Sequence, residues 1–67
     1  MSDEHERAKA AAIQDTVNAA AVVAQVRNDY GTDSSEARTA YEAALGRAAT
    51  ARELGATDDD LRAARPA

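Results

Sequence analysis

Three consecutive aspartates, Asp58 to Asp60, are the densest group of potential metal ligands in the chain. A calcium loop places its oxygen ligands at alternating positions of an open loop and usually ends with a bidentate glutamate. Three adjacent side chains at the start of a helix point in different directions, whereas acidic residues at that place stabilise the positive end of the helix dipole. The pattern therefore indicates the start of a helix, and we expect no metal site.

The other candidates for catalysis lack the neighbours that such chemistry requires. His5 is the only histidine and lies between Glu4 and Glu6, and cysteine is absent, so no transition-metal site is indicated. Ser34 and Ser35 lie at a helix start with no histidine or lysine placed to activate them as nucleophiles, and we interpret them as capping residues. The three glycines are isolated, so there is no phosphate-binding loop. We expect a protein that is not an enzyme and that takes no cofactor.

Net charge and hydropathy narrow the choice of partner. The formal net charge is −4, which disfavours binding to nucleic acid and to anionic membrane surfaces. The first six residues are polar and acidic, unlike a signal peptide. The longest apolar run, residues 19–24, is far shorter than the ~20 residues that a membrane span requires. We therefore expect a cytoplasmic protein whose partner is another protein.

The supply of large apolar side chains is small for an independent fold. Hydrophobic residues make up 45% of the 67 positions, but nineteen of them are alanine, and there is no phenylalanine or tryptophan. A chain of this length is near the lower limit for a self-sufficient core. Because no disulfide can assist, oligomerisation is the usual remaining source of stability.

The periodicity of the apolar residues predicts one all-α domain over residues 1–67. Alanine, glutamate, glutamine and arginine favour helices, and two long stretches of them are separated by about three residues. Two long helices with so short a connection fold back as an antiparallel hairpin. We predict a hairpin and a short C-terminal helix, with helix 1 at about 4–29, helix 2 at about 34–54 and helix 3 at about 58–64.

Capping residues set these predicted boundaries. Gly31 follows helix 1 and should take a left-handed conformation that ends it. Asp33 and Glu36 have the spacing of a capping box for helix 2. Thr57 should cap helix 3, and Pro66 should end it.

Three side-chain contacts follow from this arrangement. The two tyrosines, Tyr30 and Tyr41, flank the turn and should close that end of the core. Asp58 and Arg62 are four residues apart and can pair on helix 3. Leu54 and Leu61 flank the corner between helices 2 and 3, which we call the second corner, and should touch each other.

The second corner also has a resemblance to a known motif. This motif has a small residue in its first helix, a glycine in its turn and apolar residues in both helices. The chain has these residue types at the spacing of the motif, at Ala51, Leu54, Gly55, Leu61 and Ala64. Residues 51–64 thereby resemble the core of a bacterial helix-turn-helix, which implies DNA binding. Two of the three aspartates would occupy the start of the recognition helix, where only Arg62 and Arg65 are basic. A capped helix corner is the simpler interpretation.

Helix 1 carries an apolar stripe that is wider than one neighbouring helix can cover. Its central positions alternate in spacings of four and three, as in a helical bundle: Ala12, Thr16, Ala19, Val23, Val26 and Tyr30. Val22 lies off this stripe. An uncovered apolar stripe usually marks a partner site, and we predict an interface formed by Ile13, Val17, Ala20, Val23, Val26, Tyr30, Tyr41 and Leu45.

This interface favours one class of function over another. We predict a non-enzymatic helical protein-interaction module, such as a small adaptor, inhibitor, antitoxin-like or assembly subunit, and a homodimeric helical bundle as its assembly. The alternative is a DNA-binding transcriptional regulator that uses the corner at 51–64.

Overall fold

Alanine-rich segments of high helix propensity form the body of the molecule. The computed structural model describes residues 2–64, which form the helices α1 (Ser2–Tyr30), α2 (Ser35–Glu53) and α3 (Asp58–Ala63). The two long helices pack against each other, and α3 contacts α1. This confirms the predicted all-α hairpin with a short third helix. Arg65 and Pro66, which figured in the predicted end of helix 3, lie outside the described residues.

The turn between α1 and α2 begins at Gly31. Its φ of 101° lies in the left-handed region, and its N–H donates to the carbonyl of Arg27 at 2.9 Å. This bond satisfies one of the carbonyls left without a partner at the end of α1. The prediction that Gly31 ends helix 1 is confirmed. At its other end α1 begins two residues earlier than predicted, with Asp3 and Glu4 in its first turn.

Replacing Gly31 by alanine should destabilise the protein through the backbone alone. The site of an added Cβ is empty, with nothing within 4 Å, but an L-residue with left-handed φ costs roughly 1–2 kcal/mol. Urea denaturation should therefore show a loss of about that size. The matched control is Gly46→Ala inside α2, where the space is equally open and alanine should instead add up to about 1 kcal/mol. Equal effects of the two substitutions would contradict this account of the turn.

The N-cap of α2 is Ser34, which confirms its predicted capping role, whereas the capping role predicted for Asp33 is wrong. Ser34 has extended backbone angles, and its Oγ accepts a hydrogen bond from the Ala37 N–H at 3.1 Å. The same hydroxyl donates to the Gly31 carbonyl at 2.8 Å. A cap must occupy the last extended residue before the helix. Because the turn places Ser34 there, Asp33 lies one residue too early.

The core between the helices consists of small side chains. Five residues are buried, namely Ala12, Val23, Ala37, Ala51 and Ala56, and no large side chain among residues 2–64 is fully buried. The described part of the chain measures 43 × 23 × 15 Å, so the hairpin is a single layer of helices. Most globular domains instead bury their apolar faces between two packed layers.

The two tyrosines lie outside this core. Tyr30 is 63% exposed and Tyr41 is 47% exposed, so the prediction that they close the turn end is wrong. That end is occupied by Ala37, which is only 2% exposed. A methyl group at the contact lets the helix axes approach closely, which leaves no room for a ring between them.

Candidate interaction surface

An open groove runs along one broad side of the hairpin, and we call this side the groove face. The groove encloses about 600 Å³. Its walls come from both long helices, and α3 contributes Leu61 at one end. Its main lining residues are Val17, Ala20, Val23, Ala24, Tyr41, Leu45 and Ala48. The groove is therefore a continuous apolar strip between α1 and α2.

The floor and the walls of the groove differ in exposure. Val23 lies at the floor and is 7% exposed, because it packs between the two helices. On the α2 wall, Leu45 is 50% exposed and Tyr41 is 47% exposed. The α1 wall includes three alanines, Ala20, Ala21 and Ala24. Two large apolar side chains are thus left half in water beside a concave apolar surface, which is the arrangement that usually marks a partner site.

The charged residues of the groove are two arginines, one at each end. The guanidinium of Arg27 lies 5.8 Å from the centroid of the Tyr41 ring, a cation–π contact. At the other end, Arg52 donates to a carboxylate oxygen of Asp58 at 3.1 Å. Among the residues that the structure describes, no acidic side chain lines the groove. Both arginines already have partners within the chain, and the middle of the groove is uncharged.

The opposite side of the hairpin is more polar. It has a smaller hollow of about 410 Å³, in which Asp15, Asn18 and Arg47 accompany Ala19, Ala40 and Ala43. Val22 also lines this hollow and is 54% exposed. Since Val22 is the single large apolar side chain there, this side offers less apolar surface than the groove face.

The predicted interface residues separate into two groups. Five of the eight line the groove, namely Val17, Ala20, Val23, Tyr41 and Leu45. The other three do not: Ile13 packs against the buried alanines of the core, Val26 is half-buried, and Tyr30 is exposed beyond the end of the groove. The sequence reasoning missed Ala24, Ala48 and Leu61. Ala24 follows Ala20 by four residues and Ala48 follows Leu45 by three, so helical periodicity could have indicated both.

The corner between α2 and α3 is held by reciprocal capping bonds. The α2 end has a left-handed Gly55 with φ 98°, and the next N–H, of Ala56, donates back to the Ala51 carbonyl at 3.0 Å. At the start of α3, the Asp60 N–H donates to Thr57 Oγ at 3.1 Å, and the Thr57 N–H donates to the Asp60 carboxylate at 3.0 Å. The predicted capping role of Thr57 is confirmed.

The hydrogen bond from the Thr57 backbone is the main reason why the pKa of Asp60 is lowered. The carboxylate form is therefore favoured by folding. Its contribution is present above the ordinary pKa of an aspartate and is lost as the pH falls through the lowered value. Asp60 thus serves the cap of α3 in its ionised form.

The other two aspartates of the triplet also have partners. The guanidinium of Arg62 lies 3.7 Å from the carboxylate of Asp59, which precedes it by three residues. The predicted pair of Asp58 with Arg62 is therefore wrong. Asp58 instead accepts from Arg52, because the first residue of α3 faces back toward the end of α2. Within residues 2–64 no group of three potential ligands is arranged to hold a metal ion.

The corner itself packs onto the first half of α1. Leu54 and Leu61, predicted to touch each other, both pack against the same cluster of Ala12, Ala51 and Ala56. The helix that would read DNA has only six residues, begins with three aspartates and contacts α1.

The comparisons with known proteins add no relative. No protein-family model, curated protein or solved structure matches this chain. Within the described residues, no helix is both long enough and apolar enough to span a bilayer.

Proposed function

We propose that this chain is a non-enzymatic helical interaction module that acts through its groove face, and that a second copy of the chain is its partner. One observation carries the proposal. Leu45 and Tyr41 remain half-exposed beside an apolar groove, while no large side chain among residues 2–64 is completely buried. A second hairpin on this face would supply the missing layer and form a four-helix bundle.

The size of the face supports this assembly. The two longer dimensions of the described part of the chain, across which this broad side extends, are 43 and 23 Å. A standard interface takes about 800 Å² from each partner, and a face of this extent is large enough to provide it. The uncharged middle of the groove also suits burial, since a dry interface has no unpaired charge to desolvate there.

DNA binding by the corner at 51–64 is the alternative, and it has weaker support. The start of α3 carries Asp58, Asp59 and Asp60, and the nearby Arg52 and Arg62 are already paired with aspartates. A DNA-binding surface must instead offer free positive charge to the phosphates. We therefore expect no band shift of duplex DNA at low salt, and a tight, salt-sensitive shift would support the alternative.

Association should appear as a concentration-dependent melting temperature. Binding that occurs only in the folded state stabilises it by mass action. For a dimer of this size, each tenfold rise in concentration should raise the melting temperature by roughly 5 °C. Sedimentation equilibrium over the same range should give the mass of two chains. A compact monomer at high micromolar concentration, with a constant melting temperature, would reject the homodimer.

A further inference from the structure

The third helix is too short to be stable by itself. It has six residues, none of them buried, whereas an isolated helix of fewer than about 12 residues is marginal in water. Its helical form therefore depends on its N-cap at Thr57 and on its contact with the hairpin. We call α3 docked when it lies on the hairpin as the structure shows it, and released when this contact is broken.

Leu61 is the one large apolar side chain of α3, and it belongs to two surfaces at once. It is half-buried and packs against the core cluster of Ala12, Ala51 and Ala56. The same side chain lines one end of the groove. When α3 is released, Leu61 leaves the groove together with it. The docked position of α3 is therefore a condition for a complete groove face.

Arg52 provides a second link between α3 and the groove. It lines the groove at the same end, and its guanidinium donates to the carboxylate of Asp58, the first residue of α3, at 3.1 Å. Both side chains are more than half exposed, so this pair alone contributes little to holding α3 in place. Release of α3 would leave Arg52 without this partner, and an unpaired charge is costly to cover with an apolar surface.

We infer that the docking of α3 and the pairing of two copies stabilise each other, so that α3 forms an adjustable end wall of the groove. This inference rests on the proposed homodimer. A second copy on the groove face contacts Leu61 and covers a neutralised Arg52 only when α3 is docked. A partner that binds one of two forms more tightly shifts the chain toward that form. By reciprocity, any change that favours release of α3 should weaken the dimer.

Thr57→Ala tests this coupling from outside the groove. Thr57 is exposed and does not line the groove, and its Oγ accepts the Asp60 N–H at 3.1 Å. Loss of such a cap lowers the equilibrium constant for forming the helix about fivefold. If only the docked form pairs, the dissociation constant in sedimentation equilibrium should rise between about threefold and 25-fold, the upper limit being fivefold for each copy. Thr57→Ser keeps the hydroxyl and should restore the native value.

Ser34→Ala is the matched control, because it removes the same kind of cap from α2. Ser34 lies at the opposite end of the hairpin and outside the groove lining. We expect its dissociation constant to stay within about twofold of the native value, since this change leaves α3 docked. Equal dissociation constants for Thr57→Ala and the native chain would overturn the inference and leave the homodimer intact. Equal rises in Thr57→Ala and Ser34→Ala would also overturn it, because they would indicate a general loss of stability. A native chain that stays monomeric would reject the homodimer itself, and this inference with it.

Hydrogen exchange measures the docking of α3 directly. The amides of Leu61 and Ala64 donate to the carbonyls of Thr57 and Asp60 at 3.1 and 3.2 Å, so they exchange when α3 opens. Between dilute monomer and concentrated dimer, we expect exchange at these two amides to slow at least about threefold. The Gly31 amide, bonded to Arg27 at the turn and outside the groove lining, should slow less. Unchanged exchange in α3, or equal slowing at Gly31, would overturn the inference.

Discussion

Replacing Val23 by aspartate should unfold the hairpin. Val23 is 7% exposed at the floor of the groove, between α1 and α2. Two polar side chains of α1 lie on the same side, and both already have partners: Thr16 donates its hydroxyl to the Ala12 carbonyl, and the Arg27 guanidinium lies over the Tyr41 ring. An unpaired carboxylate at this position would cost several kcal/mol, which is comparable to the whole stability of a chain this short. Circular dichroism should show loss of most of the helical signal at 25 °C.

The adjacent residue offers a matched control for this substitution. Val22 has the same side chain, lies in the same helix and is 54% exposed on the opposite side of the hairpin. Val22→Asp should change the free energy of unfolding by only about 0.5 kcal/mol, as is usual for a surface substitution. Similar losses from the two variants would mean that α1 does not pack on α2 through the Val23 side.

Replacing Leu45 by aspartate should dissociate the proposed dimer and leave the hairpin folded. Leu45 is half-exposed in the single chain, so a charge there remains in water in the monomer. In the proposed dimer the same charge would lie in the interface, twice, because Leu45 lines the groove of each copy. We expect the dissociation constant, measured by sedimentation equilibrium, to rise at least about 100-fold. That rise corresponds to roughly 2.7 kcal/mol, and the cost of burying an unpaired carboxylate in the interface exceeds this value.

Two further measurements separate dissociation from unfolding. The helical signal of Leu45→Asp at concentrations where it is monomeric should match that of the native chain diluted to the monomer. Val22→Asp, which places the same charge on the opposite side, should dimerise as tightly as the native chain. If Val22→Asp dissociated the dimer and Leu45→Asp did not, the interface would lie on the side of Val22.

The hairpin and its ends were predictable because they depend on local chemistry. A glycine after a long helical stretch and a threonine before three acids are signals that lie within a few residues of one another, and Gly31 and Thr57 act as predicted. The cap of α2 was predicted at both Asp33 and Ser34, because aspartate and serine are both good caps. The path of the turn decides between them, and that path follows from the hydrogen bonds between Ser34 and Gly31.

The groove was only partly predictable because the projection of a single helix does not show where the neighbouring helix packs. The predicted interface includes Val23 and Ala20 alike, but the projection cannot tell which of them the neighbouring helix covers. Tyr30 is apolar enough to be assigned to the stripe, yet α2 begins beyond it and leaves the ring exposed.

The closeness of the two long helices has a consequence for how the groove can change during evolution. Ala37 and Ala51, which are 2% and 0% exposed, have no side-chain atom beyond a methyl group, so most substitutions at these contacts can only add volume. Added volume between packed helices pushes their axes apart. The same two helices form the walls of the groove, and the groove must widen as they separate. Substitutions at buried positions that never touch a partner would therefore alter which partner fits.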